Sequence, residues 1–178
     1  CESSAASDVY KRQILESGQI ERKIQRIARQ IAEEFILAKK IHLICIAGNG
    51  EPVGQRIGNV LKTICSIEIE MSTLKLKKSA PLEQAISLSS DLKQLSGEQI
   101  VIVDDVLNSG KTLMYAVHHI LSAGPKRVAT AVLVDRIHRS FPIRADFCGL
   151  SLSTNLKEHI DVTIGDTWSD SDEAILTD

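Results

Sequence analysis

Three nearly continuous apolar runs constrain this chain more than any other feature: residues 41–48 (IHLICIAG), 99–105 (QIVIVDD) and 128–135 (VATAVLVD), each ending in glycine or carboxylate. A strand with one face in water alternates apolar and polar residues. A run without alternation is expected of a strand covered on both faces, as in parallel sheets whose connecting helices lie above and below. Helical stripes flank these runs. Ile20, Ile24, Ile27, Ile31 and Phe35 recur at helical spacing, in a helix expected to continue to the neighbourhood of Lys39 and Lys40. Val53, Ile57, Val60, Leu61 and Ile64 form a second stripe, with Pro52 suited to the first helical position. Leu113, Ala116, Val117, Ile120 and Leu121 form a third, closed by Gly124 and Pro125. This order predicts one α/β domain over residues 1–178, with a mainly parallel twisted sheet, flanking helices and right-handed crossovers.

Other segments carry weaker signals. Residues 66–71 (SIEIEM) alternate, as expected of an exposed or edge strand, and the following stretch is rich in Ser and Lys with little periodicity. It reads as a mobile loop or hairpin, with residues 73–90 forming a lid that carries Lys75, Lys77 and Lys78. Residues 1–13 are expected to be peripheral. A formal net charge of -2 gives no overall attraction to nucleic acid or to a membrane surface, so any polyanion site must be local. Cys1, Cys45, Cys65 and Cys148 lack metal-type spacing and read as reduced residues. No apolar run approaches the roughly 18 residues of a membrane span, and the first ten residues lack the pattern of a secretory leader, so a cytoplasmic location is expected.

In open α/β sheets ligands sit beyond the carboxyl ends of the strands. Here those ends are Ala47, Gly48, Asn49 and Gly50; the stretch from Asp104 to Thr112; and Asp135 with Arg136. Adjacent carboxylates at Asp104 and Asp105 repel each other unless cations or hydroxyl groups sit against them. After Val106 and Leu107 come Asn108, Ser109, Gly110, Lys111 and Thr112, a small polar turn into a helix. Its backbone amides, helix dipole and hydroxyls suit a phosphate. Hydroxyls for the acids and an anion for the turn together describe a ribose phosphate. A nucleotide-triphosphate loop would need glycine five residues before Gly110, where Asp105 stands.

The segment VIVDDVLNSGKT closely resembles the phosphoribosyl pyrophosphate (PRPP) motif of the type I phosphoribosyltransferases. AVLVDRIHRSFPIRADFCG and ESGQIERKIQRIARQIAEEF extend the likeness to the pyrimidine-operon attenuator and uracil phosphoribosyltransferase branch, over most of residues 14–155. The resemblance implies that Asp104 and Asp105 hold the ribose hydroxyls as catalytic residues, and that Val106 through Thr112 cradle the 5′-phosphate. It further implies that Ala47, Gly48, Asn49 and Gly50 receive pyrophosphate and that Mg²⁺ is held mainly by the substrate. A hood over residues 135–155 would present Asp135, Arg136, Ile143 and Phe147 to a nucleobase, uracil above others. The family carries a basic residue in its pyrophosphate loop where this chain has neutral Asn49, followed by Glu51. The implied reaction is transfer of ribose 5-phosphate from PRPP to a base. The rival reading is a PRPP-responsive regulator that binds RNA through Arg22, Arg26 and Arg29 and the hood arginines Arg136, Arg139 and Arg144, most plausibly across a homodimer or larger homo-oligomer.

Overall fold

The computed structural model describes residues 11–77, 85–155 and 158–177. Its elements are β1 (Lys11–Glu16), α1 (Ser17–Glu34), β2 (Lys40–Ile46), α2 (Gly50–Ile64), β3 (Glu68–Lys75), β4 (Ser87–Leu88), β5 (Gln99–Leu107), α3 (Lys111–Leu121), β6 (Arg127–Arg136), β7 (Phe147–Leu152), β8 (His159–Thr163) and β9 (Glu173–Thr177), with one 3₁₀ turn at Leu92–Leu95. The apolar runs become β2, β5 and β6. They lie at the centre of a six-stranded sheet of order β4-β3-β2-β5-β6-β7, parallel except for β4. Among the described residues no helix is long and apolar enough to cross a membrane.

The absence of alternation has its predicted cause, because each central strand feeds two cores. Ile41, Leu43, Val101, Val103, Ala131 and Leu133 face α1 and α2, while Ile44, Ile46, Ile100, Ile102 and Val132 face α3 and the 3₁₀ turn. The α1 residues Ile20, Ile24, Ile27 and Ile31 have no solvent exposure, and burial of each such side chain stabilises the fold by about 1.5–3 kcal/mol. The stripe stops at Phe35, so α1 ends earlier than its sequence suggested. Ile36 and Leu37, which no longer face the core, are 72% and 95% exposed as the chain turns back into β2. Helix α2 starts at Gly50, which puts Pro52 within its first turn rather than at its first position.

Chain order fixes where the sheet opens. From β2 the chain steps to β3 on one side, whereas β5 leads to β6 and β7 on the other. Right-handed crossovers therefore place α2 and α3 on opposite faces and leave a crevice between the carboxyl ends of β2 and β5.

A second, antiparallel sheet of order β1-β9-β8 covers one end of the core with Leu15, Ile160, Val162, Ala174 and Leu176. Residues 135–155, expected as a hood, divide between the end of β6, the loop that follows it and β7. Most of the ADFCGLSL stretch is instead β7, the parallel edge strand beside β6, with Phe147 packed against Phe35 at a ring separation of 6.4 Å. Residues 11–13, expected at the periphery, belong to β1 and pair with β9.

Arg56 of α2 ties the small sheet to the main body. Its guanidinium, 4% exposed, donates to Asp172 at 2.6 Å, to the Gly165 carbonyl at 2.9 Å and to the Thr167 carbonyl. Asp172 also accepts from the Ser169 and Gly165 amides at 3.1 and 3.4 Å.

Candidate active site

Strand β5 stays apolar through Val103 and then delivers two carboxylates to the crevice, Asp104 and Asp105, 3% and 8% exposed. The Asp105 amide donates to Asp104 Oδ1 at 3.0 Å, so the first carboxylate folds back over the strand end. Val106 and Leu107 continue the strand and stay packed in opposite cores. Residues 104–113, with Val132 of β6 and Ile160 of β8, line a cavity of about 140 Å³.

The turn that follows is shaped by one glycine. Gly110 has φ +86, in the left-handed region that favours glycine, and a Cβ there would lie 2.7 Å from Ile143 Cγ2 and 3.4 Å from Phe141. The loop after β6 thus sits directly on the turn, where the Ser140 and Phe141 amides both donate to the Ser109 carbonyl at 3.0 Å. Ser109 Oγ accepts the Lys111 amide at 3.3 Å, and α3 begins at Lys111. The result is a helix N-terminus with its positive dipole end and backbone amides at the cavity, as an anion requires.

The loop after β2 meets the acidic pair. A Cβ on Gly50 would come within 3.0 Å of the Val103 carbonyl and 3.3 Å of both Asp104 Cα and Oδ1, so Gly50 allows the two strand ends to touch. Gly48 takes φ +99. The Ala47 amide donates to the Leu74 carbonyl at 2.9 Å, and Asn49 Nδ2 donates to the Val162 carbonyl of β8 at 2.8 Å. The Gly48 amide donates to Glu51 Oε1 at 3.2 Å, and Glu51 Oε2 accepts from the Thr73 hydroxyl at 3.1 Å. Behind this loop, burial pushes the Cys45 thiol up to about 12, with the Glu51 carboxylate adding to the effect. Cys45 is therefore a packing residue, and the lack of a Cβ on Gly54 accommodates its sulfur.

The remaining candidates divide. Ile143 meets the turn at Gly110 as described. Asp135 is held in a forked ion pair by Arg139, and Arg136, 8% exposed, donates to Thr154 and to the Asn155 carbonyl. These two side chains brace the loops around β6 rather than line the cavity, and Phe147 is a core residue. Buried strand positions favour such internal pairing. Lys75 ends β3 in register with Ser87, and Lys77 follows it, both exposed and outside the cavity lining; Lys78 lies outside the described residues. The base of the expected lid is a paired hairpin stem, in which Ser72 and Ser90 hydroxyls meet at 2.8 Å and the Thr73 amide donates to Ser89 at 2.9 Å. Ile160 was missed because its short segment, IDVTIG, carries no sign in the sequence of which sheet it joins.

The arginine surface also divides. Arg22, Arg26 and Arg29 are exposed along α1, but Arg26 donates to the Cys148 and Gly149 carbonyls of β7 and Arg29 to Gln25. Of the later arginines, Arg144 is exposed, whereas Arg136 and Arg139 are engaged as above.

The family model described as phosphoribosyl transferase domain matches residues 11–166. The chain is 37% identical over 158 residues to the bifunctional protein PyrR of Streptococcus thermophilus, covering 86% of this chain and 90% of that protein. It is 34% identical over 176 residues to the bifunctional protein PyrR of Chloroflexus aurantiacus, with coverage of 93% and 95%. Among solved structures, the hypoxanthine phosphoribosyltransferase of Trypanosoma cruzi superposes with a TM-score of 0.71 at 19% identity, over 80% of this chain and 82% of that one. A hypoxanthine-guanine phosphoribosyltransferase from Bacillus anthracis gives 0.70 at 18% identity, over 86% and 88%. At such identities the likeness to the solved structures is one of fold.

Proposed function

The chain belongs to the phosphoribosyl transferase domain family, and from that premise we propose that it transfers ribose 5-phosphate from PRPP to a nucleobase, uracil first among the candidates. The observation that carries this reading is the contact of two strand ends. Gly50 lies against Asp104, so a loop suited to one anion and a turn suited to another flank a carboxylate pair suited to hydroxyls. PRPP presents those three features in that order.

In the proposed reaction the C1–O bond to pyrophosphate breaks and a C1–N bond to the base forms. Positive charge spreads over the ribose between the two events. Asp104 and Asp105 stabilise that charge and fix the sugar through its hydroxyls, while the turn from Asn108 to Thr112 anchors the phosphate. Val132 and Ile160 supply apolar walls that keep water from C1. Mg²⁺ fits the site, since carboxylate, hydroxyl and phosphate oxygens are the ligands it favours, and it would neutralise charge on the departing pyrophosphate. The test is pyrophosphate release from PRPP and Mg²⁺ with uracil, hypoxanthine, guanine, adenine and orotate in turn. Release with one base and none without a base is expected; release with none of the five overturns the enzymatic reading.

A regulatory role stays beside it for one reason: the relatives named above are described as bifunctional, and the exposed α1 arginines offer a phosphate-binding face that a homodimer would double. Such a face binds RNA with a steep salt dependence. Loss of salt-sensitive RNA binding when Arg22, Arg26 and Arg29 are all replaced by Ser would support that role, and unchanged binding would remove it.

A further inference from the structure

We propose that Glu51 tempers the pyrophosphate half of the site by holding an amide of the loop that would receive that group, so that pyrophosphate binds more weakly than it would without this carboxylate while the ribose 5-phosphate half is unaffected. The inference rests on the phosphoribosyl-transfer reading and concerns the pyrophosphate half of that site.

Hydrogen bonding supplies the main support. Glu51 Oε1 accepts the Gly48 amide at 3.2 Å and Oε2 accepts the Thr73 hydroxyl at 3.1 Å, so one carboxylate bridges the loop and the stem of the 73–90 segment. An anion already sits on an amide that an incoming phosphate would use. Local charge points the same way. The loop residues Ala47, Gly48, Asn49 and Gly50 include no cation, and the one long polar side chain, Asn49, is turned away to the Val162 carbonyl at 2.8 Å. Glu51 and Asp166 moreover line one cavity of about 270 Å³ together with Gln55 and Thr73, which places a further carboxylate beside the loop.

A single amide cannot serve two anions well. Pyrophosphate must either displace Glu51, losing both of its hydrogen bonds, or lie beside it and be repelled. A phosphate on the turn at residues 108–112 meets neither obstacle, because Asp104 separates that turn from the loop. Glu51 also ties the first turn of α2 to the Gly48 amide that precedes the helix. That link alone predicts a loss of stability on replacement and no change in ligand selectivity.

Calorimetric titration of the whole chain with two probes, inorganic pyrophosphate plus Mg²⁺ and ribose 5-phosphate, separates these readings. Glu51→Gln keeps an acceptor oxygen without the charge, Glu51→Ala vacates the loop, and Thr73→Val frees the carboxylate from its outer anchor. At least one Glu51 variant is expected to bind pyrophosphate about tenfold more tightly, the equivalent of roughly 1.4 kcal/mol, with ribose 5-phosphate changed less than about twofold. Thr73→Val is expected to move pyrophosphate the same way by a smaller factor, and it carries the test alone should the Glu51 variants fail to fold by circular dichroism. Unchanged or weaker pyrophosphate binding in every folded variant overturns the proposal, as does an equal gain for both probes. Failure of the wild type to bind ribose 5-phosphate at all removes the underlying reading instead, and the proposal falls with it.

Discussion

Replacing Arg56 with methionine tests how firmly the small sheet is held to the body. The guanidinium is buried against Asp172, and the variant leaves that carboxylate in place with its main partner gone. Breaking a buried ion pair from one side costs about 3–5 kcal/mol. Asp172 keeps the Ser169 and Gly165 amides, which puts the cost near the lower bound, about 3 kcal/mol, or roughly two decades in the folding equilibrium. Replacing both partners, as Arg56→Met with Asp172→Leu, removes the stranded charge, leaving the Ser169 and Gly165 amides without that acceptor and the Gly165 and Thr167 carbonyls without that donor. The double variant should therefore lose less than the two single variants added together. Urea unfolding is the assay, followed by circular dichroism and by the emission of Trp168, the only tryptophan, which lies 53% exposed in the segment that Arg56 grips. In Arg56→Met the Trp168 transition should precede the loss of helix, because the small sheet detaches first. A cost below about 1 kcal/mol, with coincident transitions, would refute the tethering role.

Three further expectations concern the site and the sheet. Asp105→Asn should weaken ribose 5-phosphate binding by roughly tenfold to a hundredfold, the worth of one or two hydrogen bonds to a charged group, with an unaltered circular dichroism spectrum; equal affinity would remove Asp105 from sugar recognition. Gly110→Ala should cost more stability than Gly124→Ala by about 1–2 kcal/mol: both glycines have positive φ, but only Gly110 would drive a Cβ into Ile143, so equal losses in thermal unfolding would contradict the packing described. His42 is 2% exposed, and burial holds its pKa below the ordinary 6.5, with Lys40 pushing the same way and Glu70 and Glu98 opposing. The unfolded chain then takes up the proton first, so His42 contributes stability above the ordinary histidine range that is lost as pH falls through it. Melting temperatures measured from pH 8 to pH 5 should fall more steeply for the wild type than for His42→Gln, and parallel curves would show that His42 is not the titrating group.

Central strands and loop ends are legible in this chain for a physical reason. A strand buried on both faces must be apolar at every position, so β2, β5 and β6 announce themselves, and a carboxylate pair at the end of such a strand has to be satisfied by something. The same logic points to the turn at residues 108–112 and the loop at residues 47–50, which lie at the ends of adjacent strands. The sequence was silent where structure depends on pairing over long range. β1, β8 and β9 are five or six residues each, and β1 finds its partner β9 at the far end of the described residues. The packing of Arg136 and Phe147 is not legible, because residue type alone does not say whether a polar group near a strand end meets a neighbouring loop, as Arg136 does, or whether an aromatic enters the core, as Phe147 does. The role of Asn49 was likewise hidden, since its partner is the backbone of Val162, more than a hundred residues away.

The strand order β1-β9-β8 carries a consequence for how the molecule is made. β9 is the last of the described strands and the central one of its sheet, so β1 and β8 emerge from the ribosome without the neighbour that either requires. A nascent chain can complete the six-stranded sheet, the acidic pair and the turn at residues 108–112 while Leu15, Ile160 and Val162 still wait for cover. The half of the crevice that carries Asp104 and Asp105 is thus finished early in synthesis, and the wall that carries Ile160 is finished later. Chains arrested before β9 would expose an apolar face and two unpaired strand edges, which are features that draw chaperones and promote aggregation.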